Sequence, residues 1–190
     1  KTNYALREDM SKEEFKTEVL DGLAPPPAYF PQNVMMNING YESLDNIMTK
    51  AFKPLTPKEF EAIANQTEAL VLDVRHETEF VKEHVPSSIF IGLHGGFAPW
   101  VGALIRDVNQ PILLITPEGM EEEAITRLSR VGFDNTLGYL KGGLEAWKAE
   151  GFDTDSIKSI PPEEFEKKYT ENTVVDSRKH SEFGAEHVEN

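Results

Sequence analysis

The chain has 190 residues, 19 basic against 33 acidic side chains, a formal net charge of −14, and no cysteine. That length holds one ordinary domain with attachments, or two small ones. The charge disfavours nucleic acid and anionic membranes as partners, since both are bound by an excess of Lys and Arg, and the missing cysteine removes disulfides, thiolate zinc sites and every thiol nucleophile.

Met10-Ser11-Lys12-Glu13-Glu14-Phe15 reads as a helix start, with Ser11 as N-cap and Glu14 at the capping-box spacing. Phe15, Val19 and Leu23 continue it on one face. Gly22 and Pro25-Pro26-Pro27 are expected to end it, because proline has no amide donor and restricts the residue before it. Tyr29-Phe30-Pro31 and Asn37-Ile38-Asn39-Gly40 follow as a loop with aromatic anchors. The proline run has two readings, a ligand for proline-recognition modules or an inter-domain strap packed through Tyr29 and Phe30.

From Leu55 the pattern changes to alternating strands and helices. In Leu55-Thr56-Pro57-Lys58-Glu59-Phe60, Thr56 is the cap, Pro57 lies at N1, Glu59 at N3, and Leu55 can staple against Phe60. Ala69 to Leu72, Ile89 to Ile91 and Ile112 to Ile115 are short apolar runs, as in strands buried on both faces. Ala124, Ile125, Leu128 and Val131 mark a buried helical stripe over 121–131. Leu137 to Leu140 reads as a further strand, and Gly142-Gly143 opens a helix over 144–150. Strand–helix alternation with short connections predicts an α/β fold with a mainly parallel sheet covered on both faces.

A repeat runs through the second half. Val71 to Val85 reappears as Val174 to Val188, with Asp, Arg, Glu, Phe, Glu, His and Val in register 103 residues apart. Ile160-Pro161-Pro162-Glu163-Glu164-Phe165 likewise echoes the helix entry at Leu55. A period of that size points to tandem domains. The expected division is a preceding zone over 1–54, a complete domain over 55–153, and a linker with the start of a second repeat over 154–190. Both ends read as cut, so a fragment of a larger protein is expected, with 160–190 partly ordered because it lacks most of a sheet.

These residues resemble the rhodanese family. Asp73-x-Arg75-x-x-x-Glu79-Phe80-x-x-x-His84-Val85-Pro86-x-Ser88 is similar to the family's early motif, which usually has Gly at the positions of Glu83 and Ser87. Gly138 to Phe152, with Gly142, Gly143 and Trp147, is similar to its closing motif. The resemblance implies a rhodanese-like α/β domain with a mainly parallel five-stranded sheet and helices on both faces. Read physically, Asp73 can cap the turn after its strand and pair with Arg75, and Glu79 lies within reach of Arg75 if the segment is helical. His84 is either a ligand or base, or a helix-end histidine with a satisfied hydrogen bond. His76, His84 and His94 lack a metal-ligand spacing. Trp147, with Leu144 and Phe152, reads as core.

In an active member of that family the loop after the central strand begins with a nucleophilic Cys, and an Arg in it often adds positive charge. Here that loop is Thr116-Pro117-Glu118-Gly119-Met120-Glu121, with Thr116 at the Cys position and Glu121 where the Arg commonly stands. A hydroxyl stores no persulfide, Pro117 removes an amide donor, and Glu118 with Glu121 to Glu123 repels anionic sulfur donors. The same acids suit a helix first turn, and a divalent-cation site is the other use for them. No catalytic residue and no metal site are therefore assigned.

Thr2 to Leu6, the helix from Ser11, Pro25 to Asn37 and His94 to Ile105 are similar to segments of metallo-β-lactamase–rhodanese fusion proteins. That resemblance implies a bacterial, cytoplasmic sulfur-metabolism enzyme, a metal-dependent hydrolase or dioxygenase binding iron or zinc in a domain ahead of Lys1. An inactive rhodanese repeat follows it, and then a second repeat whose loop, with or without Cys, falls beyond Asn190. The present chain would carry no cofactor. It would contact neighbouring domains of the same chain and no nucleic acid or membrane, with homo-oligomerisation left open. The alternative is a regulatory or binding module that uses the degenerate acidic pocket for a cation or a partner peptide. Phe97, Trp100, Val101, Leu104 and Ile105 serve either as a docking segment or as core from a short helix.

Overall fold

The computed structural model describes residues 10–21, 23, 26 and 29–188. The opening segment 1–9, and the helix stop read at Gly22, Pro25 and Pro27, lie outside them.

The first helix, α1 (Lys12–Leu20), carries the expected capping box: Glu14 N–H donates to Ser11 Oγ, and Ser11 N–H donates to the Glu14 carboxylate at 2.8 Å. The loop expected around Tyr29 and Asn37 is instead a helix, α2 (Phe30–Asn39). Pro31 stands in its first turn, where the missing N–H costs no intrahelical bond, and Gly40 ends it at φ 85°. Of the two anchors of the strap reading, Tyr29 is buried, its ring lying on Gly102, where any Cβ would collide with it, whereas Phe30 is exposed. A third helix, α3 (Leu44–Ala51), is capped by Ser43 and sends Ile47 and Ala51 into the core.

Five strands follow: β1 (Pro54–Leu55), β2 (Leu70–Asp73), β3 (Ile89–Phe90), β4 (Ile112–Ile115) and β5 (Thr136–Leu140). They form one all-parallel sheet in the order β1-β5-β4-β2-β3. The helices between them are α4 (Pro57–Thr67), α5 (Glu77–Lys82), α6 (Phe97–Leu104) and α7 (Glu121–Ser129), and α8 (Gly143–Ala149) follows β5. Thr56 and Glu59 form the capping box of α4, with Pro57 in its first turn.

Alternation along β4 divides the core. Ile112 and Leu114 face a cluster built with Ile47, Phe97, Val101, Ile125 and Leu128 from α3, α6 and α7. Leu113 and Ile115 face Phe60, Leu144 and Trp147 from α4 and α8. All four β4 residues are fully buried, as a central parallel strand with two covered faces requires.

The C-terminal part passes through α9 (Pro162–Phe165), a 3-10 turn at Tyr169–Glu171, and α10 (His180–Ala185). Among the described residues, no helix is long and apolar enough to cross a membrane.

Candidate functional site

The carboxyl ends of β2, β4 and β5 meet at one rim of the sheet, the place where parallel α/β sheets set their functional loops. The loop after β4 begins at Thr116, which is buried at the end of the strand. Met120 N–H donates to Pro117 C=O at 3.1 Å, closing a turn. Its third residue, Gly119, sits at φ 81°, a conformation that favours glycine.

Helix α7 starts at Glu121 and has Glu121, Glu122 and Glu123 in its first turn, with no side-chain cap from Met120. The Glu121 carboxylate turns back and accepts the Gly119 N–H at 3.3 Å. A side-chain anion thus engages one of the amides that would otherwise be offered to a bound anion, and the acids complement the positive end of the helix dipole. Burial pushes the Tyr139 hydroxyl above its ordinary pKa, and the charge of Glu121 adds to the rise.

The early-motif residues do structural work beside this loop. Asp73 is fully buried at the end of β2 and takes Arg75 in a forked pair, with Arg75 Nη2 to Asp73 Oδ2 at 2.6 Å and Arg75 Nε to Asp73 Oδ1 at 3.0 Å. Asp73 Oδ1 also accepts the Arg75 backbone N–H at 3.0 Å, the turn cap read from the sequence. The other guanidinium contact is the Glu83 carbonyl at 2.9 Å, so Arg75 ties the strand end to the far end of α5. Glu79 sits in that helix, yet its carboxylate accepts the His76 N–H at 3.3 Å as the return half of a capping box. The Arg75–Glu79 contact needed a helical segment, but α5 begins only at Glu77, leaving Arg75 outside it, and the Glu79 carboxylate is used in this cap. His84 is buried, its Nδ1 2.8 Å from Phe80 C=O and its ring stacked on Phe80 with centroids 4.1 Å apart.

Gly142 (φ 75°) and Gly143 (φ 58°) turn the chain from β5 into α8, and a Cβ on Gly142 would lie 2.9 Å from that of Ala146. Trp147 is buried, stacks on Phe152 at 4.5 Å, and donates its indole N–H to Asp153 C=O at 2.8 Å. The segment 97–105 divides between its two readings. Phe97, Val101 and Ile105 are core, whereas Trp100 is 60% exposed and Leu104 54%.

Glu83 has a role that the sequence did not disclose. At a position where glycine was expected, its backbone is extended (φ −165°), and its carboxylate binds Lys148 Nζ at 2.8 Å and Thr154 Oγ1 at 2.9 Å. Those bonds, Lys148 first, lower its pKa. Ser87, at the other expected glycine, does occupy the left-handed region, at φ 62°. Among the described residues, no group of three or more His, Cys, Asp or Glu side chains is placed to hold a metal ion.

Residues 56–150 match the family model of the rhodanese-like domain, which is half of the 190-residue sequence. The chain belongs to the rhodanese-like family. It is similar to the uncharacterized protein YibN of Escherichia coli strain K12, with 29% identity over 104 residues, covering 54% of this chain and 72% of that protein. It is also similar to the thiosulfate sulfurtransferase GlpE of Pseudomonas savastanoi pv. phaseolicola strain 1448A, with 28% identity over 99 residues, covering 52% of this chain and 89% of that protein. A crystal structure of a metallo-beta-lactamase from Staphylococcus aureus subsp. aureus COL superposes with a TM-score of 0.57 at 23% identity. It covers 74% of this chain and 37% of that one, a likeness of fold.

Proposed function

We propose that this rhodanese-like domain is a catalytically silent module of a larger, cytoplasmic sulfur-metabolism enzyme of the metallo-β-lactamase–rhodanese type, holding neighbouring domains of its own chain in register. The loop after β4 carries the reading. Sulfur transfer by a thiol route needs a thiolate to accept the sulfane sulfur and free donors to hold the resulting anion. This chain has no cysteine, puts a buried threonine at the loop's first position, and uses Glu121 to take up the Gly119 amide. A threonine hydroxyl does not ionise near neutrality and makes no stable sulfane adduct. The acids that follow repel thiosulfate.

The wider context supports a multidomain parent. The likeness of fold to the Staphylococcus aureus metallo-beta-lactamase extends over 74% of this chain, well past the matched domain. The motif of β2 and α5 returns at 174–188. Any iron or zinc of such a parent would be held elsewhere in it, and no chemistry of that metal is assigned to the residues described.

The test is transfer of sulfane sulfur from thiosulfate to cyanide by the purified chain. No rate above the uncatalysed background is expected. Turnover that rises in proportion to protein concentration overturns the proposal.

A further inference from the structure

Helices α4 and α8 roof β1, β5 and β4 through Phe60, Leu144 and Trp147, and among the described residues that roof covers β2 only at its edge. Val71, the β2 residue that points toward this layer, is only half-buried, and so are Ala69 before it and Ala64 on α4. A parallel sheet ordinarily has both faces covered. The gap opens into a groove of about 790 Å³ at the amino-terminal ends of β2 and β3, the end of the sheet opposite Thr116. Phe152, Trp147 and Leu104 of α6 are among its apolar lining residues. Trp100, one turn back from Leu104 and equally exposed, prolongs the apolar strip on α6.

The rim is charged and one-sided. Glu61, Glu68, Asp107 and Asp153 stand around the apolar floor, and Arg106 is the basic residue among the lining side chains. A second copy of a chain with net charge −14 would bring like charge to that rim. An occupant carrying basic residues beside an apolar stripe would match both floor and rim. A helix with apolar residues at i, i+4 and i+7 and Lys or Arg on its flanks has that chemistry.

We propose that this groove is a docking site for a basic amphipathic helix of a partner protein. The proposal does not rest on the silence of the Thr116 loop, which lies at the other end of the sheet. Charge complementarity sets the orientation and speeds encounter, and the apolar floor supplies the affinity.

The experiment titrates the whole chain carrying Trp100→Phe, which leaves Trp147 as the sole indole reporter, with a Leu/Lys amphipathic peptide of about 18 residues, long enough to span the groove as a helix. A Leu/Glu peptide of the same pattern is the control. Saturable one-to-one binding of the Leu/Lys peptide is expected. It should weaken about tenfold or more, a change of at least 1.4 kcal/mol in binding free energy, in Glu61→Lys/Glu68→Lys and again in Leu104→Asp. All three substituted side chains are at least partly exposed, and an unchanged circular dichroism spectrum checks that the variants fold. Equal binding of the Leu/Glu peptide, binding that neither groove variant alters, or no saturation in the millimolar range overturns the proposal. So does self-association of the chain that Leu104→Asp abolishes.

Discussion

The segment 71–85 and its echo 174–188 share a set of local contacts in different surroundings. Arg75 and Arg178 both fork onto an aspartate two residues earlier, with Nη2 to Oδ2 at 2.6 Å in each. Both guanidinium groups reach a carbonyl eight residues on, Glu83 and Glu186, at 2.9 Å. His84 and His187 place Nδ1 2.8 Å from the carbonyls of Phe80 and Phe183 and stack on those rings at 4.1 and 4.0 Å. What differs is cover. Leu72 is 0% exposed and its counterpart Val175 82%, while Val85 is 4% exposed and Val188 48%. The comparison separates two jobs in one motif. Short-range hydrogen bonds shape the turn and helix, and burial of the apolar positions depends on strands far away in sequence, β3 and β4 in the first copy.

If that separation holds, the same substitution should cost very different amounts in the two copies. Arg75→Ala strands the buried Asp73 carboxylate without its cation and is expected to lower unfolding stability by about 3–5 kcal/mol. Arg178→Ala breaks a solvent-screened pair, and its loss in the same urea titration should be much the smaller of the two. Next in size is the apolar pair. Leu72→Ala opens a cavity in a closed core and is expected to cost about 2–4 kcal/mol. Val175→Ala, on an uncovered surface, should fall within about 0.5 kcal/mol of zero. Equal losses in the two copies would show that the second is covered in solution.

The same contrast explains what could be read from sequence. Capping at Ser11 and Thr56, the apolar runs of β2 and β4 and the Asp73–Arg75 turn are local, and each was legible because neighbours within four residues decide it. Helix α2 was not. Pro31 and Gly40 read as loop punctuation, although one sits in the helix's first turn and the other at its C-cap. The division of 97–105 into core and exposed faces depends on which side of α6 meets the sheet, and spacing alone left it open. The roles of Glu83 were hidden for the same reason, since Lys148 and Thr154 lie 65 and 71 residues away. At the loop after β4, residue identities told which groups are present, and only the structure shows Glu121 reaching the Gly119 amide.

Ser87 offers a smaller test, confined to the first copy. Its φ of 62° crowds a Cβ against the backbone, a strain that glycine lacks. Ser87→Gly is therefore expected to raise stability by about 1 kcal/mol, less the extra freedom glycine gives the unfolded chain. A fall in midpoint denaturant concentration would mean that the serine side chain contributes more than its backbone costs.

The smallest effect tests whether the uncovered copy keeps its clamp at all. Hydrogen bonds from the Arg178 side chain, and then from its backbone N–H, hold the Asp176 carboxyl down at about 2. In the unfolded chain an aspartate titrates near ~3.9. A depressed folded-state value means that the clamp adds its stability above the unfolded value and loses it as pH falls toward about 2, where the carboxylate takes up its proton in the folded form. Following the side-chain carboxyl carbon by NMR from pH 6 downward should place the Asp176 midpoint close to that value, and Arg178→Ala should return it toward the ordinary range. A wild-type midpoint already in the ordinary range would show that the turn needs covering strands to form, and the two copies would then differ in local structure as well as in burial.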